Sequence, residues 1–317
     1  MKVYVGIDVG AVSTNLAVLD TGGNVIHRAY LRTEGDPTGS VKTILRDAGR
    51  CFHKTDVLGC GTTGSGRLLA AALAGADIVR NEITAHTAAA LHFVPEARTV
   101  IEIGGQDSKL IVIRDGVPVD FAMNTVCAAG TGSFLDYQAA RMGITIEELA
   151  RLAGTAGNVV RISGRCAVFA ETDMIDRQQR GAKKEAVLKG LCEALVRNFL
   201  SGVARGKPIV PPVVFQGGVA SNQAVVAAFE RELGLEIHVP ANHDVMGAIG
   251  TALLAVREPG GTEATKFKGF DVTGAALASE IFECTECSNR CDIVEIFDGP
   301  ELITRWGSRC GRWDLEA

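Results

Sequence analysis

One pattern occurs twice in this 317-residue chain: a strand that ends in an acid and a glycine and then turns back into a second strand. Shifting the sequence by 94 positions without a gap sets Asp8 on Glu102 and Gly10 on Gly104, and apolar strand positions also coincide. Chance similarity between two apolar strands is the alternative explanation, but it does not account for the matched acid and glycine. The pattern therefore predicts a duplicated domain whose two copies face a shared cleft.

The first copy also predicts an order of elements. Residues 1–31 contain three β-rich runs, with a Gly-Gly turn before the third, which indicates a three-stranded meander. An amphipathic helix pattern follows from about Pro37 to Phe52, then a short strand to Leu58, a Gly-rich loop and a second helix. The expected order is β-β-β-α-β-α, which is typical of an α/β fold.

Glycine-containing turns beside acids suit a nucleotide triphosphate. Glycine lets the backbone approach an anion, and turn amides donate to phosphate oxygens. Carboxylates at the same strand ends can hold Mg²⁺, which bridges phosphates. A further turn at Gly217 and Gly218, between an apolar strand and a helix, is expected to contact adenine and ribose. The GxGxxG match at 59–64 is weak evidence for NAD, because a meander precedes it, and no P-loop motif occurs.

The nine cysteines favour metal, cluster or redox chemistry over a disulfide framework, because the chain starts without a signal peptide. Cys51, Cys60 and Cys192 are interpreted as small core residues. Cys127 and Cys166 each end an extended run before a helix-like segment, and their Gly, Thr and Arg neighbours favour exposed junctions. Two thiolates are half of the set that usually holds an iron–sulfur cluster, and a twofold dimer would bring two such pairs together.

The last four cysteines have the spacing C-x2-C-x3-C-x18-C, which matches neither ferredoxin pattern. Structural zinc, an iron–sulfur cluster and reactive thiols without a metal all remain open for this set. Its members are Cys284, Cys287, Cys291 and Cys310.

Composition excludes several classes of protein. A net charge of -5 and 5% aromatic residues argue against nucleic-acid binding. No apolar stretch approaches the ~18 residues that a membrane span needs, so we expect a cytoplasmic protein without membrane contact. The 47% of apolar residues is enough to bury the cores of about two domains.

Six motifs identify a resemblance over residues 1–256. They are GIDVG at 6–10, TTGSGR at 62–67, IGGQD at 103–107, CAAGTGSFLD at 127–136, CAVFAE at 166–171 and GGVASN at 217–222. The chain resembles the ATP-dependent activators, or reductases, of 2-hydroxyacyl-CoA dehydratases, together with benzoyl-CoA reductase subunits and the reductases of double-cubane-cluster proteins.

The resemblance implies a fold and an assembly. The fold is a duplicated RNase H-like domain of the acetate-kinase, sugar-kinase, Hsp70 and actin type, with mixed sheets flanked by helices. We expect the first domain over 1–95 and the second, with cluster ligands and an adenosine motif, over 96–256. A connector at 257–280, marked by Pro-Gly-Gly, and a small Cys-rich module at 281–317 follow. The implied assembly is a homodimer bridged by one 4Fe-4S cluster, with Cys127 and Cys166 as ligands.

The resemblance also implies site residues. Asp8 and Asp107 are expected around Mg²⁺ and the attacking water, and Gln106 and the amides of Gly104 and Gly105 near the γ-phosphate of ATP. The other expected nucleotide contacts are Gly10, Ser13, Thr14, Asn15, Gly64, Gly217, Gly218, Val219 and Asn222.

The first hairpin departs from the family pattern. Family members commonly have Ser-Thr after GIDVG and a Lys three residues further on, whereas this chain has Ala11, Val12 and Asn15. A direct phosphate contact from this hairpin is therefore expected from Ser13, Thr14 or Asn15.

The function implied is ATP-driven electron transfer. Ferredoxin or flavodoxin would reduce the bridging cluster, and ATP binding and hydrolysis would drive an electron to a partner metalloenzyme. That acceptor is expected to be a 2-hydroxyacyl-CoA dehydratase or a double-cubane-cluster protein. A small-molecule kinase of the same fold is the alternative, and a nucleotide-dependent assembly or sensor module is another, but the kinase leaves the paired cysteines unexplained.

Overall fold

The computed structural model describes residues 1–124, 126–257, 264–272, 274 and 277–315. These residues form two compact units, one made of Met1–Ala89 with Gly247–Ala317 and the other of Ala90–Met246. Among the helices of these described ranges, none combines the length and the apolar character needed to span a bilayer.

The first unit contains a five-stranded mixed sheet with helices. Its first elements are β1 (Val3–Val9), β2 (Ser13–Asp20), β3 (Val25–Arg32), α1 (Pro37–Ala48), β4 (Val57–Thr63), α2 (Arg67–Ala74), β5 (Ile78–Val79) and α3 (Glu82–Phe93). The sheet order is β3-β2-β1-β4-β5; β1 to β3 pair antiparallel, whereas β4 is parallel to both β1 and β5. The predicted meander and the order β-β-β-α-β-α are confirmed.

The second unit repeats this sheet. Its elements are β6 (Thr99–Ile103), β7 (Ser108–Arg114), β8 (Val117–Asn124), α4 (Gly132–Arg141), α5 (Ile146–Thr155), α6 (Ala167–Gln179), α7 (Lys184–Ser201), β9 (Val213–Gln216), α8 (Gln223–Leu233) and β10 (Ile237–His238). The order β8-β7-β6-β9-β10 matches that of the first sheet strand for strand. Glu102 lies opposite Lys109 as Asp8 lies opposite Asn15, so the register of the first hairpin is conserved between the two copies.

Helix α1 begins and ends at recognisable residues. Pro37 occupies its first turn, and the Asp36 side chain accepts the Gly39 N–H at 2.8 Å. The helix ends at Ala48, four residues before the predicted end at Phe52. The prediction that Cys51 is a core residue is wrong, because Cys51 lies in the turn after the helix and is exposed.

The chain returns to the first unit in α9 (Met246–Arg257). Strand β4 packs so closely on this helix that a Cβ on Gly61 would lie 2.6 Å from Thr251 Oγ1. The Gly-rich loop predicted after Leu58 is therefore wrong, since the strand continues to Thr63. The GxGxxG match lies mainly inside this strand and does not form the strand-to-helix turn of a dinucleotide site.

The C-terminal residues form an antiparallel sheet of β11 (Leu277–Glu283), β12 (Asp292–Asp298) and β13 (Glu301–Trp306). A separate Cys-rich module is not confirmed, because this sheet belongs to the first compact unit. Within the predicted connector, Phe267 and Phe270 are buried in the first unit's core, and Asp77 accepts the Thr265 hydroxyl at 2.6 Å. The Pro-Gly-Gly at 259–261 lies outside the described residues.

Candidate nucleotide and cluster site

The turns of the two first hairpins have the same backbone hydrogen bond. Gly10 N–H donates to Ser13 O at 2.8 Å, and Gly104 N–H donates to Asp107 O at 3.1 Å. These four residues correspond under the shift of 94 positions. The repeat recognised in the sequence therefore extends to the conformation of the turn expected to face phosphate.

The turn after the fourth strand of each sheet is also duplicated. Gly64 has a φ of +93° and Gly217 has a φ of +91°, a region that side chains disfavour. A Cβ on Gly64 would lie 2.6 Å from Asp8 Oδ1, and one on Gly217 would lie 2.8 Å from Glu102 Oε1. Each glycine thus lies against the acid of the first strand. The gap-free alignment missed this match because these glycines are 153 positions apart.

Polar side chains meet around Asp8 at the end of the first sheet. Asn15 on β2 and Thr63 on β4 are both paired with Asp8 in register, so the three side chains lie on one face. Asn15 Oδ1 and Thr63 Oγ1 are buried, and the described residues provide no hydrogen-bond partner for either. Both oxygens can accept hydrogen bonds from the water around a hydrated Mg²⁺, and the Thr63 hydroxyl can also donate to a phosphate oxygen.

Of Ser13, Thr14 and Asn15, the three candidates for a direct phosphate contact, the structure leaves two. Thr14 is fully buried, and its hydroxyl shares a 3.0 Å hydrogen bond with the Thr33 hydroxyl. Thr33 in turn donates to Gly10 O at 3.0 Å. Thr14 therefore supports the turn from inside the core, and the contact falls to Ser13 or Asn15.

The second hairpin carries an ion triad that the motif analysis missed. Lys109 Nζ lies 2.9 Å from Glu102 Oε2 and 2.8 Å from Asp107 Oδ1. The Lys109 and Glu102 side chains are only 3% and 5% exposed, whereas Asp107 is 30% exposed and Gln106 next to it is exposed. A signal was present in the sequence, because Glu102, Asp107 and Lys109 lie close together around the turn of one predicted hairpin.

The expected adenosine motif offers a small surface. Gly217 N–H donates to His243 O at 2.8 Å, which fixes the turn. Gly218 is exposed, whereas Val219 is 7% exposed and packs in the core of the second unit. The residue that presents backbone at the surface of this turn is therefore Gly218.

The Asn222 side chain forms its hydrogen bonds within the protein. Its side chain accepts the Ala224 N–H at 3.0 Å at the start of α8 and donates to Cys192 Sγ at 3.5 Å. Burial raises the pKa of Cys192 to about 12 and also raises the pKa of Cys60, so both thiols are protonated and shielded. The structural roles predicted for Cys60 and Cys192 fit this burial.

Cys127 and Cys166 lie at helix starts, as the sequence indicates. Cys127 is exposed and precedes the 3₁₀ turn Ala128–Gly130, and the half-buried Cys166 is the N-terminal cap of α6. Asn124 fixes the first of them: it accepts the Cys127 N–H at 2.8 Å and donates to Cys127 O at 2.7 Å. Both thiols therefore lie at the starts of helical segments, where the amides of a helix N-terminus favour negative charge.

The predicted phosphate turn contacts the segment that follows Cys127. Gly132 N–H donates to Gly104 O at 2.8 Å, and Ser133 N–H donates to Gly105 O at 2.8 Å. These two amides belong to the first turn of α4. The IGGQD and CAAGTGSFLD motifs are thus joined by two hydrogen bonds inside the second unit, which their separation in sequence did not reveal.

Three of the four C-terminal cysteines, Cys284, Cys287 and Cys291, lie between β11 and β12, and Cys310 follows β13. Cys284 N–H donates to Cys291 O at 2.8 Å, and Trp313 Nε1 donates to the buried Cys284 Sγ at 3.2 Å. Cys287 and Cys310 are exposed. Within the described ranges, no three His, Cys, Asp or Glu side chains come together as a metal site. A metal in this segment stays a prediction.

Comparison with known proteins connects this arrangement to a family. The profile of the BadF/BadG/BcrA/BcrD ATPase family matches residues 5–255, which contain both hairpins and the Cys127 and Cys166 segments. The chain belongs to the BadF/BadG/BcrA/BcrD ATPase family. The (R)-2-hydroxyglutaryl-CoA dehydratase activating ATPase of Acidaminococcus fermentans is 34% identical over 263 residues, which are 81% of this chain and 99% of that protein.

Solved structures agree with this family assignment. The activator of 2-hydroxyisocaproyl-CoA dehydratase from Clostridium difficile, solved with bound ADPNP, has a TM-score of 0.73 and 32% identity, covering 81% of this chain and 95% of its own. A glucokinase of the ROK family from Streptomyces griseus has a TM-score of 0.51 at 16% identity, over 80% of this chain and 99% of its own, and so shows the fold alone. The sugar-kinase type of fold is confirmed, and the small-molecule kinase alternative is not favoured.

Proposed function

We propose that this member of the BadF/BadG/BcrA/BcrD ATPase family is an ATP-dependent activator. It would pass a low-potential electron from a 4Fe-4S cluster, shared by two copies of the chain, to a partner metalloenzyme. The observation that carries this proposal is the pair of hydrogen bonds from α4 to Gly104 and Gly105. Because these bonds join a phosphate turn to the segment after Cys127, nucleotide contacts at the turn can move a cluster ligand.

The nucleotide would be ATP or ADP, held at the duplicated turns. Asp8 would hold Mg²⁺, and the buried oxygens of Asn15 and Thr63 would accept hydrogen bonds from water around the ion. Mg²⁺ would neutralise part of the charge of the phosphates. In the second hairpin, Lys109 holds the Asp107 carboxylate at 2.8 Å, which fixes its direction next to the exposed Gln106. Gln106 and Asp107 would orient the attacking water.

The cluster would be held by Cys127 and Cys166 from each of two chains. The donor set fits, since two accessible thiols per chain at helix starts supply half of a four-thiolate site. A twofold axis repeats the same patch from each subunit and completes the set. The cluster supplies reversible one-electron chemistry, while the chain supplies the ligands, the helix dipoles and their placement.

The need for ATP follows from the free energy required to lower the reduction potential of the cluster. Lowering a one-electron potential by ~200 mV requires roughly 4 to 5 kcal/mol, from ~59 mV per tenfold change. A surface contact contributes about 0 to 1 kcal/mol and cannot supply this. Nucleotide contacts that differ between two conformations can supply it, because a ligand shifts an equilibrium by its differential affinity.

The partners follow from the chemistry and from the relatives. The Acidaminococcus and Clostridium proteins carry names that make them activators of 2-hydroxyacyl-CoA dehydratases. We therefore place a dehydratase first as electron acceptor, with a double-cubane-cluster protein as the second choice. Ferredoxin or flavodoxin would supply the electron, and the reducing cytoplasm suits the accessible thiols.

Anaerobic purification with iron and sulfide analysis tests the proposal. The wild-type chain is expected to be a dimer with iron and sulfide that depend on Cys127 and Cys166, so Cys127→Ala and Cys166→Ala lose about four irons per dimer. Cys51→Ala removes an exposed thiol of the first unit and serves as the matched control. An iron-free wild-type dimer, or one that phosphorylates a metabolite, contradicts the proposal.

A further inference from the structure

Asn198, near the C-terminal end of α7, contacts the segment that leads to Cys166. Its amide Nδ2 donates to Gly164 O and to Arg165 O, both at 3.0 Å. These are the two residues directly before Cys166. Both protons of one amide are thus used to hold the backbone on which this cysteine is carried.

The other side of the same amide faces the segment that follows Cys127. A Cβ on Gly130 would lie 2.7 Å from Asn198 Oδ1, so the oxygen lies directly against a backbone that has no side chain there. Gly130 ends the 3₁₀ turn that begins after Cys127. Asn198 therefore fills the space between the two cysteine segments.

Helix α7 is a firm base for this contact. Arg197 Nη2 donates to Ile162 O at 2.6 Å, and a Cβ on Gly164 would lie 2.9 Å from Ala194 O. Phe199, next to Asn198, is fully buried in the core of the second unit. Because the helix is held in the core, the Asn198 side chain can fix the position of the backbone that it binds.

We propose that Asn198 is a positioning residue that joins the Cys127 and Cys166 segments and so sets the separation at which one chain presents its two thiols. The effect on the cluster rests on the proposed function, whereas the contact of Asn198 with both segments is independent of it. Asparagine suits the position because its amide group combines two donors with an acceptor in a planar group, which Asp, Ser and Thr lack. A cluster held by four thiols tolerates little change in ligand separation, so the clamp would act on cluster retention.

The test uses Asn198→Asp, which keeps the shape and removes both donors, and Asn198→Ala, which removes the group without adding charge. Lys189→Met is the matched control, because Lys189 also lies on α7 and donates to a loop carbonyl, Ala156 O, at 3.1 Å. The first measurement is hydrogen–deuterium exchange of the full-length protein over residues 126–131 and 160–167.

Asn198→Asp and Asn198→Ala are both expected to exchange about tenfold faster over 160–167, since lost hydrogen bonds lower the free energy of local opening. Asn198→Ala should also exchange faster over 126–131, because it removes the oxygen that lies against Gly130. Lys189→Met should raise exchange only near Ala156. In Asn198→Ala, faster exchange confined to 160–167, or unchanged exchange in both segments, overturns the clamp. This measurement needs no iron, so it decides the clamp even if the wild-type chain proves to hold no cluster.

The second measurement is release of iron from the loaded dimer to a ferrous chelator, with the electron paramagnetic resonance spectrum of the reduced protein. Release is expected to be about five to ten times faster in Asn198→Ala than in the wild type, with a broadened spectrum, while Lys189→Met stays within about twofold. Equal release rates and spectra in wild type and Asn198→Ala overturn the role in cluster retention. Absence of iron bound through Cys127 and Cys166 in the wild type overturns the proposed function instead.

Discussion

The β1–β2 hairpin and the β6–β7 hairpin have the same backbone structure but different side chains. Strand register, the hydrogen bond across the turn and the glycine that lies on the first strand's acid all repeat. The matched positions are Asp8 with Glu102, Ser13 with Asp107, and Asn15 with Lys109. At these three matched positions the first hairpin has one acid and two neutral residues, whereas the second has two acids and a lysine.

The duplicated hairpins therefore share a backbone structure but differ in the charges of their side chains. Backbone hydrogen bonds depend on register, so they remain when side chains change. Charges depend on a few side chains, so they diverge. The buried lysine neutralises only part of the negative charge of the two acids in the second hairpin, while the first hairpin keeps buried oxygens for which the described residues supply no donor. We therefore propose that the first hairpin binds Mg²⁺ and that the second positions Asp107, while the backbone of both turns remains the expected contact for phosphate.

Lys109→Met should produce the largest effect on stability. It leaves the Glu102 and Asp107 carboxylates adjacent without their cation, and breaking a buried ion pair typically costs about 3 to 5 kcal/mol. Urea unfolding of the full-length chain at pH 7 measures this loss. Adding Glu102→Gln to Lys109→Met removes one of the stranded charges and should recover part of it. A Lys109→Met chain as stable as the wild type would show that the triad is not buried as described.

Asp8→Asn should reduce ATP turnover by about 10² to 10³-fold, which is the range for losing one group that stabilises charge in a transition state. Its unfolding free energy should change by less than about 1 kcal/mol, because the amide keeps the shape of the carboxylate. Steady-state ATP hydrolysis with excess Mg²⁺ is the measurement, with iron content as a check that the cysteine site is intact. Wild-type turnover in Asp8→Asn refutes the placement of the metal in the first hairpin.

Gly64→Ala and Gly217→Ala should each destabilise the protein by about 2 kcal/mol, and by similar amounts, if the two turns are equivalent. Both residues have a positive φ, and a Cβ on either would overlap a carbonyl oxygen of the first strand. Gly35→Ala and Gly143→Ala are the matched controls, since these glycines also have a positive φ but nothing lies within 4 Å of the added Cβ.

The controls should lose only about 1 kcal/mol, the contribution of backbone conformation alone. Thermal unfolding of the four variants measures the differences. A Gly217→Ala loss no larger than that of Gly143→Ala would mean that the second turn does not press on Glu102.

The sequence predicted the part of the fold that rests on local patterns. The β-rich runs and the Gly-Gly turn predicted the meander, and the amphipathic pattern from about Pro37 predicted the start of α1. The end of α1, the exposure of Cys51 and the length of β4 were predicted wrongly. The glycines in β4 suggested a loop, but they are there because α9, from a distant part of the sequence, packs closely against the strand. A local sequence pattern contains no information about that contact.

The candidate site divides in the same way. Motifs located Asp8, the glycine turns and the two cysteines, because each motif is a short run with a fixed chemistry. Lys109 and Asn198 were not found, since their partners lie on other strands or loops. Thr14 was grouped with its neighbours in sequence, but strand alternation turns its hydroxyl into the core.

The sequence by itself determined that this chain repeats one hairpin, belongs to an ATPase family and carries two cysteines before helices. Only the tertiary structure decided that the phosphate turn is bonded to α4, and that one asparagine on α7 lies between both cysteine segments. The physical reason is range. Period, capping and turn chemistry act over a few residues, whereas hydrogen bonds between turns and helices far apart in sequence exist only after the core has brought them together.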